Sequence, residues 1–204
     1  MAHPGEAIAN PGTGERIVFG ATRADTGGER LEFDLTLAPL GRVGGVPHKH
    51  EPTERFTIRS GRLTVWLGAA RRELRPGESL EVPAGVTHYV CNDGDEAVRA
   101  SVVVRPAGNL ETFLETIFAI AARRRFKAFR GLPSPLHGAL LADTYGVYGP
   151  LLPIAVQRPL VRPLAALARR RGYPAALGPG AAPATLDDGP HGPPPAASLD
   201  DAPR

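Results

Sequence analysis

The sequence predicts a mainly β fold, a sandwich or barrel of short strands, followed by a helical extension and a tail. Three observations carry this. Short runs rich in β-branched and aromatic residues recur from residue 15 to 106, broken by Gly, Pro and Asp turns. At Pro106 the apolar period becomes helical. From Pro174 onward large apolar residues almost vanish. At 204 residues the chain suits one compact domain with appendages.

Taken in order, residues 1–14 (MAHPGEAIANPGTG) read as a flexible lead. Strand-like runs follow at Arg16–Gly20, Leu31–Ala38, Arg55–Arg59, Leu63–Leu67, Ser79–Pro83, Thr87–Cys91 and Val98–Arg105. In the second of these, Leu31, Phe33, Leu35 and Leu37 alternate with Glu32, Asp34 and Thr36, the pattern of a half-buried strand. Turns are expected at Asp25–Gly28, Pro76–Gly77 and Asn92–Gly94. These elements make up a barrel over residues 15–106.

Residues 107–173 read as a helical extension. Asn109 is the expected N-cap of a first helix, with Glu111 and Glu115 near its start and Arg123–Arg125 at its end. Leu110, Phe113, Leu114, Ile117, Phe118 and Ala121 recur at helical spacing. Further helices are expected over Leu136–Tyr145 and Pro159–Arg171. Residues 174–204 are rich in Pro, Ala, Gly and Asp and are expected to be disordered.

Charge narrows the range of partners. The net charge of +3 conceals a near-neutral barrel, because residues 1–106 carry 13 basic and 14 acidic groups. The excess lies in residues 107–173, with 10 basic against 3 acidic groups, so the high net charge gives no argument for a barrel that binds nucleic acid, and no nucleic-acid partner is expected. The Arg-rich helix ends admit contact with a membrane surface, although packing on the barrel is the expected arrangement. No apolar run is long enough to span a bilayer, and the N-terminal stretch lacks the pattern of a secretory signal. The single cysteine, Cys91, excludes an intramolecular disulfide, and a reducing cytoplasm is the expected location.

Two clusters between Gly41 and Asn92 carry the chemistry. The first, HKHEPTERFTIRSG, runs from His48 to Gly61 and contains His48, His50 and Glu54. The second, GESLEVPAGVTHYVCN, runs from Gly77 to Asn92 and contains Pro83, Gly85 and His88. On a strand, His48 and His50 share a face, and Glu54 has the same parity. Singly, each histidine reads as an ordinary barrel residue. Together, three imidazoles and a carboxylate form a set able to hold a divalent metal, with imidazole suited to Zn, Cu, Fe and Ni and the carboxylate admitting Mn and Fe.

Both segments resemble the paired motifs of the cupin superfamily, G-x5-HxH-x3-4-E-x6-G and G-x5-PxGxxH-x3-N. The second matches throughout. The first matches from His48 to Gly61, while its opening glycine position holds Arg42, beside Gly41. The resemblance covers residues 15–106 and implies a double-stranded β-helix, the jelly-roll barrel. It also implies that His48, His50, Glu54 and His88 bind one divalent metal per chain, iron first, with Mn, Ni or Zn as alternatives. A homodimer is expected on the same grounds.

Around these positions, Glu51 reads as a solvated charge, Pro83 and Gly85 as the turn that delivers His88, and Asn92 as the closure of the following turn. Tyr89 and Cys91 have the opposite parity to His88 and are expected to pack between layers. No catalytic acid or base is assigned. The expected function is that of a metal-dependent dioxygenase-type enzyme acting on a small organic substrate. The alternatives are a non-redox isomerase, cyclase or lyase using the metal as a Lewis acid, and a non-enzymatic binding or sensing barrel.

Overall fold

The computed structural model describes residues 2–122 and 134–176. Arg123–Arg125, and the part of the expected tail beyond Ala176, lie outside the described residues. In chain order the strands are β1 (Ala7–Asn10), β2 (Glu15–Phe19), β3 (Leu31–Leu37), β4 (Arg42–His50) and β5 (Thr53–Ser60). Next come β6 (Leu63–Leu67), β7 (Ala70–Leu74), β8 (Ser79–Val82), β9 (His88–Cys91) and β10 (Val98–Arg105). The extension supplies α1 (Leu110–Ala122), α2 (Pro135–Tyr145), β11 (Val147–Tyr148) and α3 (Ile154–Arg170).

Two antiparallel sheets result, ordered β1-β2-β3-β10-β5-β8 and β11-β4-β9-β6-β7. This is the expected mainly β jelly-roll with a C-terminal helical region. The core follows from alternation. Phe33 and Leu35 of β3, Val102 and Val104 of β10, and Phe56 and Ile58 of β5 join Leu63, Val65 and Val90 of the other sheet in one buried cluster. Alternate residues of a strand point to opposite faces, so each strand gives its apolar half to this interior.

The lead expected to be flexible is structured in part. Ala7–Asn10 pairs antiparallel with β2 (Glu15–Phe19), Ile8 opposite Ile17, and Ala2 is buried. Backbone hydrogen bonds to a sheet edge order this segment, which has only one large aliphatic residue, Ile8, between Ala2 and Asn10. The third helix also begins earlier than expected, at Ile154 rather than Pro159, and carries Pro159 and Pro163 inside it. Each proline removes a backbone donor. The helix is tied down by other bonds: Gln157 donates to the Gly149 and Leu152 carbonyls, Arg158 pairs with Glu51, and Arg169 with Asp143.

The helices are continuous with the barrel. Leu110, Leu114 and Phe118 of α1 belong to the barrel's own core cluster. Ala165 and Ala168 of α3 pack on Leu140 of α2, while Val156, Leu160, Leu164 and Leu167 form an exposed apolar stripe. β11 pairs with β4, setting Val147 opposite His50. Among the described residues, no helix is long and apolar enough to cross a membrane.

Candidate metal centre

The histidine-bearing end of β4 is shaped by two glycines. Gly44 and Gly45 both have positive φ, 66° and 74°, a region open to glycine at little cost. A side chain at Gly44 would meet the His48 ring, its Cβ falling 2.9 Å from Cε1. Here the register against β9 shifts: Val43 faces Val90, yet His48 faces His88. The extra residues form an irregularity of the bulge kind, which re-aims the side chains that follow. His48 and His88 thereby meet across paired strands.

Glu54 arrives by another route. The chain turns at Glu51–Pro52 and enters the other sheet, where Glu54 lies between Val104 of β10 and Val82 of β8. Its position therefore depends on the two sheets facing each other, and the parity it shares with His50 along the sequence does not account for it. The two motifs are also joined through the backbone, because the Gly85 N–H donates to the His50 carbonyl at 2.8 Å. With φ of 72° at Gly85, this turn delivers His88, as its Pro-x-Gly spacing predicts. The opening glycine of the first motif has a counterpart one residue early. At Gly41 a Cβ would lie 2.8 Å from the Ala38 carbonyl and from a Leu37 methyl group.

The four side chains converge. One ligand nitrogen from each of His48, His50 and His88 lies within 4.8 Å of the others. Glu54 Oε2 is 3.5 Å from His50 Nε2 and 3.7 Å from His88 Nε2. Every imidazole is oriented by its second nitrogen. His48 Nδ1 lies 2.8 Å from the Val46 carbonyl, His50 Nδ1 2.9 Å from that of Pro52, and His88 Nδ1 3.0 Å from that of Val86. A carbonyl only accepts, so Nδ1 carries the proton and Nε2 presents its lone pair. His88 Nε2 is fully buried with no hydrogen-bond partner. A buried acceptor without a partner is costly, and a cation among these donors would satisfy it. The residues present fit a divalent metal.

Electrostatics agree with this arrangement. Burial pushes the His48 imidazolium down to about 4, with the neighbouring His88 and His50 adding to the effect. Burial likewise lowers His88. Burial would lower His50 too, but the Glu54 carboxylate holds it above its ordinary value. Burial would raise Glu54, yet the surrounding imidazoles, His50 first, hold it lower. His48 and His88 neutral and Glu54 ionised are protonation states that metal ligation requires, while at His50 a bound metal would displace the proton that Glu54 favours.

Of the neighbouring residues, Asn92 closes the turn as expected, accepting from the Gly94 N–H at 3.0 Å. It also does more. Its buried Nδ2 approaches the carbonyls of Leu37, Ala38 and Glu96 at 2.7–3.1 Å, tying β9 to the end of β3. Asn92→Ala should therefore destabilise the fold by about 2 kcal/mol in a urea titration, through buried carbonyls left without donors. Glu51 is exposed but paired with Arg158 at 2.6 Å. Cys91 is buried, its Sγ 3.3 Å from Asp93 Oδ1, and burial pushes the thiol up to about 11, away from nucleophilic chemistry.

The centre opens into a cavity of about 1510 Å³, lined by His48, His50 and Glu54 together with residues of the barrel and of all three helices. One lining residue escaped the sequence reading. Glu15 of β2 is only 3% exposed, and it follows Phe19 and Ile17 onto the inward face of its strand. Its Oε2 accepts from Thr13 Oγ1 and, at 3.3 Å, from the Gly44 N–H. Burial outweighs those bonds and pushes its carboxyl up to about 7. Its parity with Ile17 and Phe19 is the signal that marks it from sequence.

Comparison with known proteins places this geometry. Residues 34–104 match the Cupin_2 cupin domain family. Quercetin 2,3-dioxygenase of Bacillus subtilis (strain 168) is 28% identical over 118 residues, covering 54% of this chain and 34% of that protein. The chain thus spans about a third of the length of this curated relative. Among solved structures, the polyketide cyclase RemF from Streptomyces resistomycificus aligns at 20% identity with a TM-score of 0.44, over 52% of this chain and 78% of that one. A predicted oxalate decarboxylase from Thermotoga maritima aligns at 22% identity with a TM-score of 0.43, over 50% and 90%. The motif residues gathered at one end of the jelly-roll lie on the segment that matches the family, so residues 34–104 form a cupin domain within this chain.

Proposed function

We propose that this protein is a metal-dependent cupin enzyme of dioxygenase type that acts on a small organic molecule. One divalent metal, iron(II) first, would be held by His48, His50, Glu54 and His88. The observation that carries this reading is the common orientation of the three imidazoles, each fixed through Nδ1 so that Nε2 faces the centre. The partial identity to a quercetin dioxygenase supports it. When bound, the metal would supply redox chemistry toward oxygen as iron, or Lewis-acid polarisation as Mn, Ni or Zn. The chain's own part is to hold Nε2 deprotonated, keep Glu54 ionised and seat the substrate against apolar walls.

A second reading, a non-redox isomerase, cyclase or lyase, is favoured by Glu15. A buried carboxyl that holds its proton near neutral pH, in the same cavity, is equipped for proton transfer. Metal analysis of protein purified anaerobically, followed by oxygen uptake with quercetin as trial substrate, separates the two. Bound iron and substrate-dependent oxygen uptake are the expected results. Turnover without oxygen would favour the second reading, and a wild-type chain that takes up no metal would end both.

We also propose self-association through the exposed stripe on α3. Light scattering should return a dimer mass, and a monomer mass at working concentration would refute it.

A further inference from the structure

The cavity beside the metal centre is a chamber whose polar contacts are few and fixed. Ile17, Phe33, Leu35 and Phe56 of the barrel and Phe113 and Ile117 of α1 give it apolar walls. Among the described residues that line it, the only Lys or Arg is Arg42, and Arg42 is exposed. Lys49, though buried, turns its Nζ to the Leu152 carbonyl. Apart from a metal at the histidine cluster, the described lining therefore offers no buried cation to receive a phosphate or carboxylate. Beyond His48, His50 and Glu54, its buried charged group is Glu15. The hydrogen bonds that Glu15 receives from described residues both fall on Oε2, from Thr13 Oγ1 and the Gly44 N–H. They clamp the carboxyl in one orientation and leave Oε1 for a bound molecule.

We infer that Glu15 is a substrate-contacting residue, and that the chamber selects bulky, largely apolar molecules, uncharged and bearing a hydroxyl that hydrogen-bonds to Glu15 Oε1. A phenol or enol is the fitting partner, because its ring system fills apolar space and its hydroxyl can donate to Oε1 when Glu15 is ionised and accept from it when Glu15 holds its proton. The inference rests on the proposed reading of this cavity as the substrate site, and it deepens that reading by naming a substrate class. It disfavours sugar phosphates and small carboxylic acids, which away from the metal would meet no buried cationic partner.

The test uses the full chain stripped of metal, titrated by fluorescence with 1-hydroxypyrene and with pyrene, which differ only by the hydroxyl. Wild type should hold 1-hydroxypyrene about tenfold more tightly, the scale of one hydrogen bond to a charged or strongly polar group. Glu15→Leu should erase the preference and leave pyrene binding intact or tighter, which also shows that the variant is folded. Glu15→Gln, whose oxygen stays with Thr13 and Gly44 and whose NH2 faces the bound molecule, should retain part of the preference by donating to the hydroxyl oxygen. Equal affinities in wild type, a preference that survives Glu15→Leu, or no binding of either probe would overturn the inference. Zinc uptake is measured on the same samples. Hydroxyl preference without zinc uptake removes the metal reading alone, and zinc uptake without preference removes this inference alone.

Discussion

A His48→Ala, His88→Ala double variant should purify without bound divalent metal, where the wild-type chain carries it. The His88→Ala single variant should bind at least tenfold more weakly, since even losses outside the ligand shell cost about 10–100-fold. The reason lies in how the rings are held. Each Nδ1 is already engaged by a carbonyl, which leaves Nε2 for the metal, and among the described residues His88 Nε2 has no hydrogen-bond partner. Thermal melts give an independent readout. Metal at about a hundred times its dissociation constant should stabilise wild type by about 2.7 kcal/mol and leave the double variant unmoved. Full metal occupancy in the double variant would sink the assignment.

Glu15→Gln should stabilise the metal-free protein at pH 8 and change little at pH 4. The carboxyl titrates near its ordinary value of about 4.5 when unfolded and is pushed up to about 7 when folded, so the folded state holds the proton more tightly. Rising pH therefore removes stability between those two values, and the loss is complete above about 7. A shift of this size corresponds to about 3 kcal/mol at about 1.4 kcal/mol per unit. Glutamine keeps an oxygen for the Thr13 and Gly44 donors and does not ionise, so its contribution is flat with pH. Urea titrations of both proteins from pH 4 to pH 8 should show a difference that opens between about 4.5 and 7. A difference that stays constant across this range would refute the account.

What the sequence shows depends on where each strand's stabilisation comes from. β3 and β10 bury alternate side chains, so their spans are legible as Leu31–Leu37 and Val98–Arg105. β7 is an edge strand, Ala-Arg-Arg-Glu-Leu, whose first three residues are exposed, and its pairing with β6 leaves no apolar alternation to read. β4 carries Gly44, Gly45 and Pro47 within a shifted register, which reads as loop although it delivers two of the histidines. The site residues were legible because chemistry, unlike pairing, demands particular side chains. His48, His50, Glu54 and His88 are gathered as the motif spacing implies, while the crossing to the opposite sheet that brings Glu54 in is a tertiary fact. Glu15 went unread because its neighbour in space, Gly44, lies 29 positions away in the chain.

The short strand β11 has a consequence for how such a protein can change. Val147 is hydrogen-bonded opposite His50, and all three helices contribute to the chamber wall. The candidate metal ligands and the chamber's outer wall are thus encoded in separate blocks of sequence, one before Pro106 and one after it, which meet through β11, the core contacts of α1 and the Glu51–Arg158 pair. Mutations in the later block can reshape what the chamber admits while the ligand set stays intact. Selection can therefore explore new substrates by redrawing the helices, with the chemistry held constant beneath them.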